Sequence, residues 1–291
     1  MEQVNSAKYP KFSVATSVYK NDSAEFFDRA LSSIMVEQTV IPDEVVLVVD
    51  GPVGEDIEKV IQDYQDKGLP LKAIRLEQNG GLGNALKIAV ENCSNELIAR
   101  MDSDDVAVKD RFEQQLNILQ QDQSIDIIGG DITEFIGQED NIVGLRNCPK
   151  TDAEIKAYMK KRCALNHVSV MFKKSAVLKA GNYQDWFCNE DYYLWIRMLL
   201  SDCVFANTGT VLVNVRVGKE MYQRRGGLKY YKSEKALQKY MRKNKIIGFG
   251  TYLSNVIKRF IVQVLLPNKL RAWVFKKFAR KKEKMVKNEK V

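Results

Sequence analysis

A chain of 291 residues, 45% hydrophobic and 28% charged, has the composition of an ordinary globular protein: general disorder is excluded, and the length holds one large α/β domain with an appendage rather than two full enzymes. The net charge of +8 is uneven, with 23 Lys and Arg against 4 Asp and Glu from Arg216 onward, and 22 against 33 before it. An acidic body with a basic tail implies a polyanionic partner, either a nucleic acid or an anionic membrane surface, unless the tail is simply a solvated basic helix.

From Lys11 to about Gly137, short apolar runs alternate with helical periodicity, the pattern of strand–helix–strand units around a mostly parallel sheet. The predicted strands are Phe12–Val18, Glu44–Val49, Leu71–Leu76 and Glu96–Met101, and the predicted crossover helices are Ala24–Gln38, Gly54–Lys67 and Leu82–Cys93. Right-handed crossovers gather ligand groups at the C-terminal ends of such strands. Ser17 and Tyr19, then Asp50, then Asp102, Ser103, Asp104 and Asp105 stand at those ends. Further strands are expected at Ile125–Ile136, Ile142–Leu145 and Val168–Phe172, with helices at Asp152–Arg162 and Glu190–Leu200. The change of charge balance near Val217 divides the chain into a catalytic unit, 1–217, and a basic helical extension, 218–291.

Three carboxylates within four positions of Ala99–Val106, ARMDSDDV, repel one another, a cost that a cation offsets. Oxygen ligands of this kind suit Mg²⁺ or Mn²⁺, which also take up substrate phosphates, so a metal–diphosphate is the implied ligand. The competing reading makes Asp104 or Asp105 the N-cap of a helix starting near Val108. Glu77–Ala89, EQNGGLGNALKIA, follows a strand and opens a helix, where glycines admit a ligand close to the backbone and the helix N-terminus favours anions. It is not a P-loop, since G-x-x-x-x-G-K-[ST] is absent, nor does it read G-x-G-x-x-G; a tight turn without a ligand is the alternative.

KFSVATSVYKND, EVVLVVDG, QNGGLGNAL, ARMDSDDV and NEDYYLWIRM, in this order and spacing, resemble the successive motifs of family 2 glycosyltransferases, most closely the bacterial branch that builds capsule, exopolysaccharide and lipopolysaccharide. The resemblance covers roughly Lys11 to Arg225. It implies a GT-A fold and an inverting transfer of a sugar from a nucleotide-sugar donor, UDP-linked by expectation, to an acceptor hydroxyl. The expected acceptor is a lipid-linked saccharide, the polyprenyl-diphosphate form among the candidates.

Carried over by position, the resemblance puts Ser17, Tyr19 and Asp50 at the nucleobase and ribose, Asn79 and Gly81 in the loop beside the nucleotide, and Arg100 and Asp102 near the ribose and diphosphate. Asp104 becomes the main ligand of Mn²⁺ or Mg²⁺, with Asp102 beside it. Asp191 becomes the general base that takes the acceptor's proton, and Glu190 a positioning or acceptor-binding group. Tyr19 packed on the core, Asp50 as a turn former before Gly51-Pro52, and an acidic pair capping the helix at 190 are the plainer alternatives. Where the family usually has two aspartates after the second strand, Gly51 follows Asp50; where it has Asn, this chain has Lys87.

His167 is the only histidine, so neither a His-rich metal site nor a Ser-His-Asp triad is expected elsewhere in the chain, and its own role stays open. The five cysteines lack the C-x-x-C spacing of zinc or redox motifs and are expected as buried thiols in a reducing compartment. With no apolar stretch after a basic start at the N-terminus, a cytoplasmic protein is expected. By the same resemblance, Arg224 and Arg225 stand where relatives close a loop over the donor and could clamp its diphosphate, or else they begin a solvated basic helix.

Beyond them, IIGFGTYLSNVIKRFIVQVLL is interrupted by Lys258 and Arg259 and makes a poor transmembrane span. NKLRAWVFKKFARKKEK mixes aromatics with dense basic charge, as helices at an anionic membrane surface do, so attachment to the inner face of the cell membrane is expected, with a helix packed on the catalytic unit or on another subunit as the alternative. Two other functions compete. A sugar-nucleotide nucleotidyltransferase would show a glycine-rich first loop, which SVATSVYKND lacks, and a nucleic-acid-binding protein would show a recognition motif, which this chain lacks.

Overall fold

The computed structural model describes residues 8–218 and 226–267. Its first half is three strand–helix units and a fourth strand: β1 (Phe12–Val18), α1 (Ala24–Met35), β2 (Glu44–Val49), α2 (Glu55–Asp66), β3 (Leu71–Arg75), α3 (Leu82–Asn92) and β4 (Leu97–Arg100). These strands pair in parallel in the order β3-β2-β1-β4. Ser23 starts α1 by accepting the Phe26 N–H, and α1 buries Phe27, Leu31 and Ile34. Side chains alternate across the strands, so that Val45, Leu47 and Val49 join one core with α1 and α2, while Val46 and Val48 join a second core with α3.

The second half adds β5 (Val106–Ala107), α4 (Arg111–Gln121), β6 (Ile127–Phe135), β7 (Ile142–Arg146), α5 (Asp152–Met159), a 3₁₀ turn (His167–Ser169), β8 (Met171–Lys173), α6 (Lys174–Lys179), α7 (Glu190–Leu200) and β9 (Phe205–Arg216). Two helices, α8 (Gly227–Lys243) and α9 (Phe249–Phe260), then lead into a π-helical turn (Ile261–Leu265). Among the described residues one nine-stranded sheet runs β3-β2-β1-β4-β8-β6-β9-β5, with β7 added to β6. The sheet changes character at β8, which pairs antiparallel with both β4 and β6, while β6 and β9 are parallel.

The sequence reading missed β9, because Asn207-Thr208-Gly209-Thr210 breaks the apolar pattern of a twelve-residue strand that also carries two register shifts against β6. The span expected as a strand from Val168 begins instead with the 3₁₀ turn. The thiols are not uniformly buried: Cys93, Cys148 and Cys203 are, Cys163 is half-buried, and Cys188 is exposed on a loop. No helix among the described residues is long and apolar enough to cross a membrane. In α8, Leu237 and Met241 reach into the second core beside Tyr192 and Trp195 of α7.

Candidate active site

The site lies where β1, β2 and β4 end. Asp50, at the end of β2, is buried, and its carboxylate is filled by the loop before α3: Gly80 N–H donates to Oδ1 at 2.7 Å, Gly81 N–H to Oδ2 at 3.0 Å, and Asn79 Nδ2 to Oδ2 at 3.0 Å. Asp50 therefore builds the loop that carries Asn79 and Gly81. Gly51 is required here, since its φ is +83° and a Cβ would stand 2.7 Å from the Asn79 nitrogen. Gly81, at φ +84°, precedes the first turn of α3, whose Lys87 is exposed.

Ser17 and Tyr19 are half-buried at the end of β1. Asp22, which the sequence reading did not single out, joins this end to the acidic loop: its Oδ2 accepts the Tyr19 N–H at 3.1 Å and the Ser103 hydroxyl at 2.8 Å. The sequence signal was the aspartate three residues after Tyr19, a spacing that lets a short side chain return to the backbone.

In the acidic loop the three aspartates have separate roles. Asp102 pairs with Arg100. Asp105 is buried and accepts the Arg216 backbone N–H at 2.8 Å. Asp104 is exposed as a residue, yet desolvation of its carboxyl, then the charges of Asp102 and Asp22, push its pKa up to about 6. The same causes, with Asp102 and Asp104 as the charges, raise Asp105 well above the carboxylate range. Neither Asp104 nor Asp105 caps a helix: α4 begins at Arg111, preceded by Asp110. Arg111, also missed, is buried inside and donates to the Arg100 carbonyl at 2.7 Å, fixing the strand end from which the loop departs.

Arg100 itself is 2% exposed, and its Nε and Nη1 have no hydrogen-bond partner among the described residues. Unsatisfied donors on a buried guanidinium are costly, so the site is arranged for a ligand carrying acceptor oxygens. Near it, His167 Nε2 shares a 2.8 Å hydrogen bond with the Tyr183 hydroxyl. Burial first, then the Arg100 charge, drive the His167 pKa well below its ordinary value, so the imidazole is neutral and structural at physiological pH.

Opposite the acidic loop stands the first turn of α7. Glu190 and Asp191 are half-buried there, with Gly83 of α3 leaving room: a Cβ on Gly83 would approach the Glu190 Cβ to 3.5 Å. Desolvation and then the Asp191 charge raise Glu190 to about 7, with Arg100 opposing and Asp102 adding to the shift. Asp191 Oδ1 accepts the Tyr192 N–H at 2.6 Å. The preceding residue, Asn189, is tied to α8, donating from Nδ2 to Ser233 Oγ at 3.1 Å. Two carboxylates on one helix turn thus stand near enough to the Arg100–Asp102 pair for its charges to act on Glu190. Arg224 and Arg225 lie outside the described residues.

A mixed sheet of this order, with an acidic loop after β4 and an acidic helix terminus near it, is the architecture of the GT-A type. The family model "Glycosyl transferase family 2" matches residues 13–185, and the chain belongs to that family. It is 40% identical to an uncharacterized glycosyltransferase of Haemophilus influenzae over 93% of this chain and 100% of that one. It is 35% identical to an Escherichia coli UDP-Gal:alpha-D-GlcNAc-diphosphoundecaprenol beta-1,3-galactosyltransferase, over 94% of this chain and 98% of the relative. The amylovoran biosynthesis glycosyltransferase AmsE of Erwinia amylovora is 34% identical over 91% and 98% of the two chains. Among solved structures, S. aureus TarS 1-349 in complex with UDP-GlcNAc superposes with a TM-score of 0.61 at 14% identity, over 92% of this chain and 71% of that one. The mannosyltransferase PcManGT from Pyrobaculum calidifontis, in complex with GDP-Man and Mn2+, gives 0.60 at 14% identity, over 94% and 76%. These two share the fold. Family membership sets aside the nucleotidyltransferase and nucleic-acid readings.

Proposed function

We propose that this glycosyltransferase moves a sugar, with inversion, from a UDP-sugar to a hydroxyl of a lipid-diphosphate-linked saccharide in surface polysaccharide synthesis. The observation that carries this reading is the convergence of Glu190 and Asp191 with Asp102 and Asp104 around a buried Arg100 that has unpartnered donors. The galactosyltransferase relative, named for transfer from UDP-Gal to a GlcNAc-diphosphoundecaprenol, supports the donor and acceptor classes.

In this reading, Asn79, the 80–81 backbone, Ser17 and Tyr19 hold the nucleoside, with Asp50 as both scaffold and neighbour, and Arg100 and Asp102 adjoin the ribose and diphosphate. Asp191 takes the proton of the acceptor hydroxyl as that oxygen attacks the anomeric carbon; the bond to the diphosphate breaks, and its oxygen leaves with the electron pair. Glu190 positions the acceptor. Arg224 and Arg225 are proposed to close on the diphosphate.

A divalent ion fits this site in one particular way. The described residues contain no group of three or more metal-ligating side chains, and Asp102 and Asp105 already carry partners. Asp104, crowded by like charge, is the carboxylate best placed to hold Mn²⁺ or Mg²⁺, with Asp102 second; such ions take remaining ligands from phosphate oxygens and water. Bound there, the ion would neutralise charge on the departing diphosphate.

The proposed division keeps 1–217 as the catalytic unit and 218–291 as the extension that holds the enzyme, as a peripheral protein, on the inner face of the membrane. The test is a panel of nucleotide sugars with Mn²⁺ or Mg²⁺ and a short-chain GlcNAc-diphosphate-lipid, scored by release of nucleoside diphosphate. Release from a UDP-sugar that depends on acceptor supports the proposal; release from none of the panel overturns it.

A further inference from the structure

The outward face of α9 carries a continuous apolar row. Phe249, Leu253, Ile257, Phe260, Ile261 and Leu265 are all exposed, Phe249 and Leu265 to 61% and 60%. The opposite face holds the helix to the protein: Asn255 Nδ2 donates to Gln238 at 2.8 Å and to the Lys160 carbonyl at 2.9 Å, Arg259 pairs with Glu234, and Arg259 Nη2 donates to the Lys161 carbonyl at 2.8 Å. This helix is anchored on one side and uncovered along the other.

Two features show that the row is maintained as a unit. A spacing of four residues drifts about 40° per step around an α-helix, which would carry Leu265 off the face. The chain instead changes to a π-turn at Ile261–Leu265, closed by the Leu266 N–H on the Ile261 carbonyl at 3.0 Å. That wider turn brings Leu265 back toward the row. The surroundings are basic. Lys160, Lys161 and Arg162 are exposed on the segment that α9 grips, Lys258 is exposed on α9, and from Arg242 to the C-terminus the sequence has 15 Lys and Arg against 2 Asp and Glu.

We propose that α9 is an interfacial helix that lays this row into an anionic lipid bilayer, with the flanking lysines and arginines at the headgroups. The inference deepens the peripheral-membrane reading above by naming the inserting face. An apolar row bordered by cations matches a surface that is hydrocarbon beneath and negative above. A second copy of the chain would bring the same positive charge to the contact. The placement also has a catalytic consequence. The hydroxyl of Tyr192, the residue after Asp191, donates to the Met159 carbonyl, one residue from the backbone that α9 holds. The membrane-facing helix and the turn bearing the base are thus fixed to one segment, which sets the base relative to an acceptor anchored in the bilayer.

The experiment is co-sedimentation of the full chain and of the Leu253→Glu/Ile257→Glu variant with phosphatidylcholine vesicles, with and without phosphatidylglycerol. Alongside it run sedimentation velocity without lipid and transfer to a water-soluble acceptor analogue. Both substituted side chains are exposed, so the fold and soluble-acceptor turnover are expected to persist. The parent should prefer anionic vesicles and keep part of its binding at about 0.5 M salt, while the variant should lose about tenfold or more, and the salt-resistant part entirely. Equal binding of the two proteins, or no preference for anionic lipid, overturns the proposal. So does a parent dimer that the substitutions dissociate. Failure of soluble-acceptor transfer in both proteins would instead count against the transferase chemistry, independently of lipid binding.

Discussion

Arg216, the last residue of β9, donates its backbone N–H to Asp105 at 2.8 Å and its Nε to the Asp104 carbonyl at 3.2 Å, so the end of this strand closes the acidic loop. Its guanidinium stacks 3.8 Å from the Phe26 ring centroid and 4.7 Å from that of Phe135. Arg216→Ala keeps the backbone bond and loses the rest. Because small misplacements of a charged loop are costly to binding, affinity for UDP with Mn²⁺ should fall about tenfold by calorimetry. Arg216→Lys should not restore it, since an ammonium lacks the planar face. Unchanged affinity in both variants would reduce Arg216 to packing.

Asp104→Ala should abolish the metal-dependent part of donor binding. The pH dependence of the parent gives a second check. With its pKa raised to about 6, Asp104 holds a proton in acid, and proton and metal compete for the same oxygens. Metal-dependent affinity should therefore climb as pH rises toward about 7 and level off beyond it. A flat profile across that range would remove Asp104 as the ligand.

Asp191→Asn should leave donor binding nearly intact and lower turnover by about 10²–10⁴-fold, the usual contribution of a general base. Turnover within a few-fold of the parent would make Asp191 a helix-end residue only. Glu190→Gln should separate the two carboxylates: the parent's rate is expected to rise with pH around 7 as Glu190 ionises, and the variant's profile should lose that step.

Asp105 makes a stability prediction with a definite sign. Its carboxyl is raised well above the ordinary value in the folded chain, so the folded state binds the proton more tightly. The stabilisation that this proton brings is complete in acid below the unfolded pKa and is lost as pH rises through the folded one. Asp105→Asn keeps an oxygen for the Arg216 N–H and removes the buried charge. In metal-free buffer, the melting temperature of the variant relative to the parent should increase from about pH 5 to about pH 8. A difference independent of pH would contradict the buried-charge account.

Gly51→Ala should destabilise the fold by roughly 1–3 kcal/mol, because φ is +83° and the new methyl meets the Asn79 backbone at 2.7 Å. Asp50 would lose its grip on the 79–81 loop, so donor affinity should fall along with thermal stability. If neither changed, the tie between Asp50 and the loop would not matter.

The units β1 through β4 and helices α1 through α3 were legible because local patterning decides them: each strand is a short run rich in apolar residues, buried along most of β1, β2 and β4, and each helix shows one apolar stripe. Strand β9 was not, because a run interrupted by Asn207, Thr208, Gly209 and Thr210 becomes a strand only where β6 offers a partner. Asp22 and Arg216 were overlooked for a related reason. Their significance lies in contacts with residues 81 and 111 positions away, which no local pattern reports.

The sequence by itself determined the order of the motifs, the family, and the carboxylates at the strand ends and at the head of α7, since those follow from residue type and spacing. Only the tertiary structure divided the labour among the aspartates. Asp102 is matched with Arg100, Asp105 is buried against Arg216, and Asp104 is left crowded but open. It also turned Asp50 into the clamp of a loop, and His167 into a neutral partner of Tyr183. Proton affinity and hydrogen-bond occupancy depend on desolvation and on charges brought together from distant parts of the chain, and those quantities exist only once the sheet has assembled.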